Sequence, residues 1–178
     1  MLSQSGSFNI GEKVVYPNHG IGIIEQIGSR TIGQNVEKFY LLNIKSSSLK
    51  VMVPFHNVQA VGMRRVVRRA EIEQLLDFLQ KGQCENNTAW KDRFRENSER
   101  MRTGSLIDVA SVMKSLLTLA EEKPLSFRER KMLGRCRYLI VSELAMAKGC
   151  EESEIESLLA QALGQSNLRL PDAAEFEN

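Results

Sequence analysis

With 178 residues, of which 42% are hydrophobic and 26% charged, the chain has the composition of an ordinary globular protein of one medium domain or two small ones. No apolar run approaches the roughly 20 residues of a membrane-spanning helix, and Met1 to Ile10 lacks the charged-then-apolar order of a signal peptide. The net charge of +2 hides an uneven spread: residues 64–102 carry +3, residues 123–139 carry +5, and residues 140–178 carry −6.

The first third alternates short apolar runs with turns. Val14 to Tyr16 ends at Pro17-Asn18-His19-Gly20, a strong turn signal. Ile21 to Ile27 follows, then Gly28 and a polar stretch through Gly33 to Asn35. Phe39 to Ile44, Leu49 to Val53 and Val58 to Val61 complete the series, separated by Ser46-Ser47-Ser48 and by Pro54. Five short strands in so few residues predict a small β-barrel.

After Arg65 the apolar period becomes helical. Ile72, Leu75, Leu76 and Leu79 share a face that ends at Gly82. A second helix opens at Thr88-Ala89-Trp90 and stops at Gly104. A third opens at Ser105, with Val109, Met113, Leu116, Leu117 and Ala120 on one side. The fourth opens with the capping box Ser126-Phe127-Arg128-Glu129 and closes at Gly149. The fifth opens on Glu151, Glu152 and Glu154, acids that favour a helix start, and ends at Gly164. The expected architecture is α+β: a five-stranded barrel over 1–65, a five-helix bundle over 66–165, and a loose acidic tail over 166–178. The junction around Arg64 to Ala70 is charged rather than glycine-rich.

Chemistry is hard to place. Cys84, Cys136 and Cys150 are odd in number and widely spaced, and His19 and His56 have no nucleophile or carboxylate nearby in sequence. No phosphate-cradling glycine motif is present. A non-enzyme without metal or cofactor is expected.

The second helix is the most informative segment. At about 100° per residue, Lys91, Arg95, Ser98 and Arg102 fall on one stripe, and Trp90, Phe94 and Met101 on the stripe beside it. Asp92, Glu96 and Glu99 fall together, away from the tryptophan. Taken alone, an apolar stripe of that kind belongs in a core. The adjoining cations, and Arg128, Lys131 and Arg135 on the fourth helix, shift the reading to a nucleic-acid surface, where cations hold phosphates and a ring stacks or wedges.

Several motifs also resemble a known family. Phe8-Asn9-Ile10-Gly11-Glu12-Lys13-Val14-Val15-Tyr16-Pro17-Asn18-His19-Gly20-Ile21-Gly22 resembles the opening of the CarD/CdnL bacterial transcription regulators. Val51-Met52-Val53-Pro54, Val61-Gly62-Met63-Arg64, Trp90-Lys91-Asp92-Arg93-Phe94 and Leu125 to Leu133 follow in the family's order, so the resemblance covers about residues 8–163. It implies a Tudor-like, SH3-like barrel that docks on the β subunit of RNA polymerase. It also implies a helical domain whose tryptophan wedges into the minor groove at the upstream edge of the transcription bubble and stabilises the open complex. On this resemblance Arg30, Thr31, Ile32, Met52 and Pro54 face the polymerase. Trp90, Lys91, Arg93 and Arg95 face promoter DNA, with Arg102, Arg128 and Lys131 from the basic stripes.

Two departures stand out. Met52 replaces an arginine that some members carry, so packing must substitute for an ion pair there. Asp92 stands where some members are basic, so affinity for DNA alone should be low. The expected protein is a cytoplasmic monomer with polymerase and promoter DNA as partners and no membrane. The competing readings are a general nucleic-acid- or ribosome-associated module, and a scaffold in which Trp90 is buried.

Overall fold

The computed structural model describes residues 7–84 and 89–176, and Thr88, read above as part of a helix start, lies outside them. Two compact units meet between Val66 and Val67.

The first unit is an antiparallel five-stranded sheet of Tudor-like type. Its strands are β1 (Lys13–Tyr16), β2 (Gly20–Ile32), β3 (Asn35–Ile44), β4 (Leu49–Pro54) and β5 (Arg64–Arg65), in the order β4-β3-β2-β1-β5. Its core is Phe8, Val14, Ile24, Tyr40, Leu42, Val53 and Met63. The edges are short or proline-ended, which blunts strand addition from outside: β5 has two residues, and β4 stops at Pro54.

Three expectations change here. The polar stretch 28–35 is not a loop: β2 and β3 run on as a hairpin arm to a two-residue turn at Gly33 and Gln34, with Gly33 at φ +62°. Both faces of that arm are largely solvated, so it shows no apolar alternation. Val58 to Val61 is not a strand: Phe55–Asn57 forms a 3-10 turn, and Val58 and Val61 pack from turns against the core. The fifth strand is Arg64–Arg65, paired with Val15 and Val14.

The β2–β3 ladder contains a bulge. Ile24 pairs with Leu42 and Gln26 with Leu41, leaving Glu25 as the extra residue. Its carboxylate accepts from Asn43 Nδ2 at 2.7 Å and pairs with Lys50 Nζ at 2.9 Å, which ties the irregular point to β3 and β4.

The second unit is all helical: α1 (Arg69–Lys81), α2 (Trp90–Arg102), α3 (Leu106–Glu122), α4 (Phe127–Lys148) and α5 (Glu152–Gly164). Local signals set the ends. Ser105 Oγ accepts from Asp108 N at the start of α3, Ser126 and Glu129 form a reciprocal capping box on α4, and Gly149 ends α4 at φ +66°. The middle helix, α3, is buried over much of its circumference, including Val109, Ala110, Val112, Met113, Leu116 and Leu117. Lys114 is buried with them, and its ammonium donates to the carbonyls of Phe78 and Leu79 and to Ser166 Oγ at 2.7–3.1 Å. A lysine of the middle helix therefore satisfies the C-terminal carbonyls of α1.

The tail is a correction too. Leu168 is buried, Arg137 Nε donates to Pro171 O, and the 3-10 turn Ala173–Phe176 lays Phe176 against Gly134 of α4. Residues 166–176 are therefore packed rather than loose, because three apolar residues, Leu168, Leu170 and Phe176, find places against the bundle.

Candidate functional site

Each unit presents one face that carries candidate residues. On the sheet, cross-strand partners share a face. Gln26, Leu41 and Met52 stand in one row, Gly28, Phe39 and Pro54 in the next, and Arg30 with Glu37 beyond them. Ile32 belongs to the same side, by alternation from Arg30. Arg30, Ile32, Met52 and Pro54 are therefore brought together, and Thr31 points from the opposite side of the arm. Met52 is 45% exposed and Ile32 51%. The Phe39 ring lies over Gly28, so an added Cβ there would come within 2.6 Å of the ring tip and displace it.

Arg30 is held in place. Its Nε and Nη2 donate to Glu37 Oε2 at 3.2 and 3.0 Å, and His56 Nδ1 lies 3.1 Å from the other oxygen, Glu37 Oε1. Sequence inspection found no carboxylate partner for His56, because the partner is on a different strand. The group is exposed, so it orients side chains more than it stabilises the fold.

The helical face starts at Trp90, the first residue of α2, which is 39% exposed. Its ring stacks on Phe94, with centroids 5.8 Å apart and planes 19° from parallel. The Arg128 guanidinium, from α4, lies 6.0 Å from the Phe94 centroid. Trp90, Phe94 and Arg128 therefore form one aromatic-cation cluster across two helices. Lys91, Arg95 and Arg102 are exposed along the adjoining stripe of α2, with Arg95 3.5 Å from Asp92 across one helical turn. Lys131 lies over the ring of Phe127 at 4.9 Å. Met101, grouped with Trp90 by the projection, is core.

Arg93 is the main correction. It does not face solvent: its side chain is 4% exposed, and its Nη2 donates to Glu129 Oε1 at 2.8 Å, with Glu129 itself 5% exposed. Burial alone would push the Glu129 carboxyl up. The Arg93 and Ser126 hydrogen bonds outweigh it and hold the carboxyl below its ordinary value. The buried face of α2 is Arg93, Asn97 and Met101, spaced by four. Two polar residues on that line mimic a solvated stripe, and only Met101 signals the core. The pair joins the N-terminal turn of α2 to that of α4, so it sets Arg128 beside Phe94, the ring on which Trp90 stacks. Glu129 was legible as a capping residue, and its second role was not.

Sequence reasoning also passed over Phe127, the first residue of α4, which is 56% exposed. Among the described residues no His, Cys, Asp and Glu group could hold a metal ion, and no helix is long and apolar enough to cross a membrane.

Comparison with known proteins agrees with this division. Residues 8–67 match the family described as "CarD-like/TRCF RID domain", and residues 74–160 match "CarD, C-terminal domain". The chain is 31% identical over 150 residues to a Bacillus subtilis (strain 168) protein named "Putative transcription factor YdeB", an alignment covering 84% of this chain and 98% of that one.

Proposed function

The chain belongs to the CarD family, and on that premise we propose that it is a non-catalytic bacterial transcription regulator. In this reading the sheet unit docks on the β subunit of RNA polymerase through Arg30, Ile32, Met52 and Pro54. The helical unit holds the promoter open complex by seating Trp90 in the minor groove at the upstream edge of the bubble. Lys91, Arg95, Arg102, Arg128 and Lys131 contact phosphates, and Arg93 acts only by holding α2 against α4. The protein works as a cytoplasmic monomer, recruited to DNA through polymerase.

The observation that carries the reading is the exposed Trp90–Phe94 stack, 39% exposed at Trp90 and bordered by cations from two helices. Inserting a ring into duplex DNA costs a few kcal/mol of unstacking. At a bubble edge that distortion already exists, so Trp90 binds the open state better than the closed one. Such differential affinity is the only way a bound factor shifts an equilibrium. Tethering through the sheet unit raises the effective concentration of the helical face, so individually weak DNA contacts suffice. Phosphate and shape contacts carry little base information, so sequence preference is slight.

The test is the lifetime of open complexes formed by purified bacterial RNA polymerase without factor, with wild type, and with Trp90→Ala. Wild type lengthens the lifetime and Trp90→Ala does not, while still binding polymerase. A Trp90→Ala protein as effective as wild type removes the wedge. Absence of polymerase binding by wild type removes the whole reading.

A further inference from the structure

Beyond Trp90, α4 carries a second row of rings and cations, of which the proposed function uses only Lys131. Phe127, Lys131, Arg135 and Tyr138 follow one another at spacings of three and four, so they lie on one stripe of the helix. Lys131 Nζ sits 4.9 Å from the Phe127 centroid, and the Arg135 guanidinium 5.8 Å from that of Tyr138. Arg128, at the near edge of the stripe, reaches the Phe94 ring of α2. Phe127, Lys131 and Arg135 are exposed, and Tyr138 is half-buried. The only acid within 123–139 is Glu129, which faces inward onto Arg93.

From this stripe we infer a binding track for single-stranded nucleic acid, with Phe127 as a stacking platform separate from Trp90. A duplex hides the faces of its bases, so the cations serve it freely while a ring reaches a base only at the cost of unstacking. An unpaired strand uses both, with phosphates on Lys131 and Arg135 and a base on Phe127. From residue 127 to 138 the helix advances about 16 Å at 1.5 Å per residue, room for a few extended nucleotides. The inference rests on the proposed function for its setting, since a melted promoter supplies an unpaired strand next to the wedge.

The experiment measures anisotropy of a labelled 12-nucleotide oligo-dT and of a duplex of equal length with the full chain at low salt. Phe127→Ala weakens the single strand by roughly fivefold or more, the effect of losing one stacked base, and leaves the duplex within about twofold. Phe127→Tyr retains single-strand binding, whereas Phe127→Leu, which keeps apolar bulk without a ring, behaves as Phe127→Ala does. Equal losses on both probes, no loss on either, or a Phe127→Leu protein that binds like wild type overturns the track. If Trp90→Ala abolishes open-complex stabilisation while Phe127→Ala leaves oligo-dT affinity unchanged, the track fails and the proposed function stands. If wild type leaves open-complex lifetime unchanged but binds oligo-dT through Phe127, the proposed function fails and the track stands.

Discussion

Replacing Arg93 with methionine keeps the length and apolar stem of the side chain and removes its charge. Glu129 is then left 5% exposed without the guanidinium that donates at 2.8 Å. Removing one partner of a buried ion pair costs about 3–5 kcal/mol, because the remaining charge is uncompensated. That is a large part of the roughly 5–15 kcal/mol that holds a domain together. At about 4 °C per kcal/mol for a unit of this size, the helical unit should melt roughly 12–20 °C lower. Trp90, the only tryptophan, lies in that unit, so its emission reports this transition and not that of the sheet. The loss should also depend on pH. In the variant Glu129 is buried without its cation, so its pKa rises above the unfolded value, and the penalty shrinks as pH falls and the carboxyl takes up a proton. Adding Glu129→Gln removes the stranded charge and keeps an acceptor for Ser126 N, so the double variant should recover more than half of the loss. An Arg93→Met protein that melts within 3 °C of wild type, or a difference that is flat from pH 8 to pH 5, would refute the argument.

Other expectations are simpler. In the wild type the depressed Glu129 carboxyl contributes stability that is full above the ordinary carboxylate value of 4.5 and is lost as pH falls through its lower folded value; urea titrations of Glu129→Gln below pH 5 should show a flatter dependence than wild type. Arg30→Glu should weaken polymerase binding in a pull-down while changing stability by under about 1 kcal/mol, since the pair with Glu37 is exposed; intact binding would move the docking face elsewhere. Lys91→Glu with Arg95→Glu should weaken promoter engagement and flatten its dependence on salt; an unaltered slope would take that stripe out of the interface. Leu168→Ala should cost about 2–3 kcal/mol in thermal melts if the C-terminal segment is packed, whereas a neutral result would return it to the status of a loose tail.

What the sequence discloses follows from the range of the forces involved. Helix ends at Gly82, Ser105, Ser126 and Gly149 are set by residues within one turn, and all four are readable as caps. The exposed Trp90 beside a cationic stripe is likewise a property of one helix. Arg93 fails as a surface residue because its partner lies 36 positions away, and nothing local distinguishes a buried arginine from a solvated one. Thr31 was placed with Arg30 and Ile32 by the resemblance, and alternation along the strand turns it to the other side of the arm. The strand Arg64–Arg65 has no apolar signature, because its place depends on pairing with β1. Val58 and Val61 look like a strand because their apolar character reflects docking onto a core, not extension.

The bulge at Glu25 carries a consequence for how this hairpin can change. Ile24 and Arg30 are six positions apart, and in an unbroken strand they would share a side; the extra residue sends one into the core and the other outward. The arm thus counts in twos from a deliberately shifted start. A single-residue insertion directly after Gln26 would turn Ile27, Ser29 and Thr31 to the places now held by Gly28, Arg30 and Ile32, exchanging the β2 part of the contact set at one stroke. A two-residue insertion would lengthen the arm and preserve it. Divergence along this arm should therefore proceed by substitution or by paired length changes, with odd steps reserved for a change of partner.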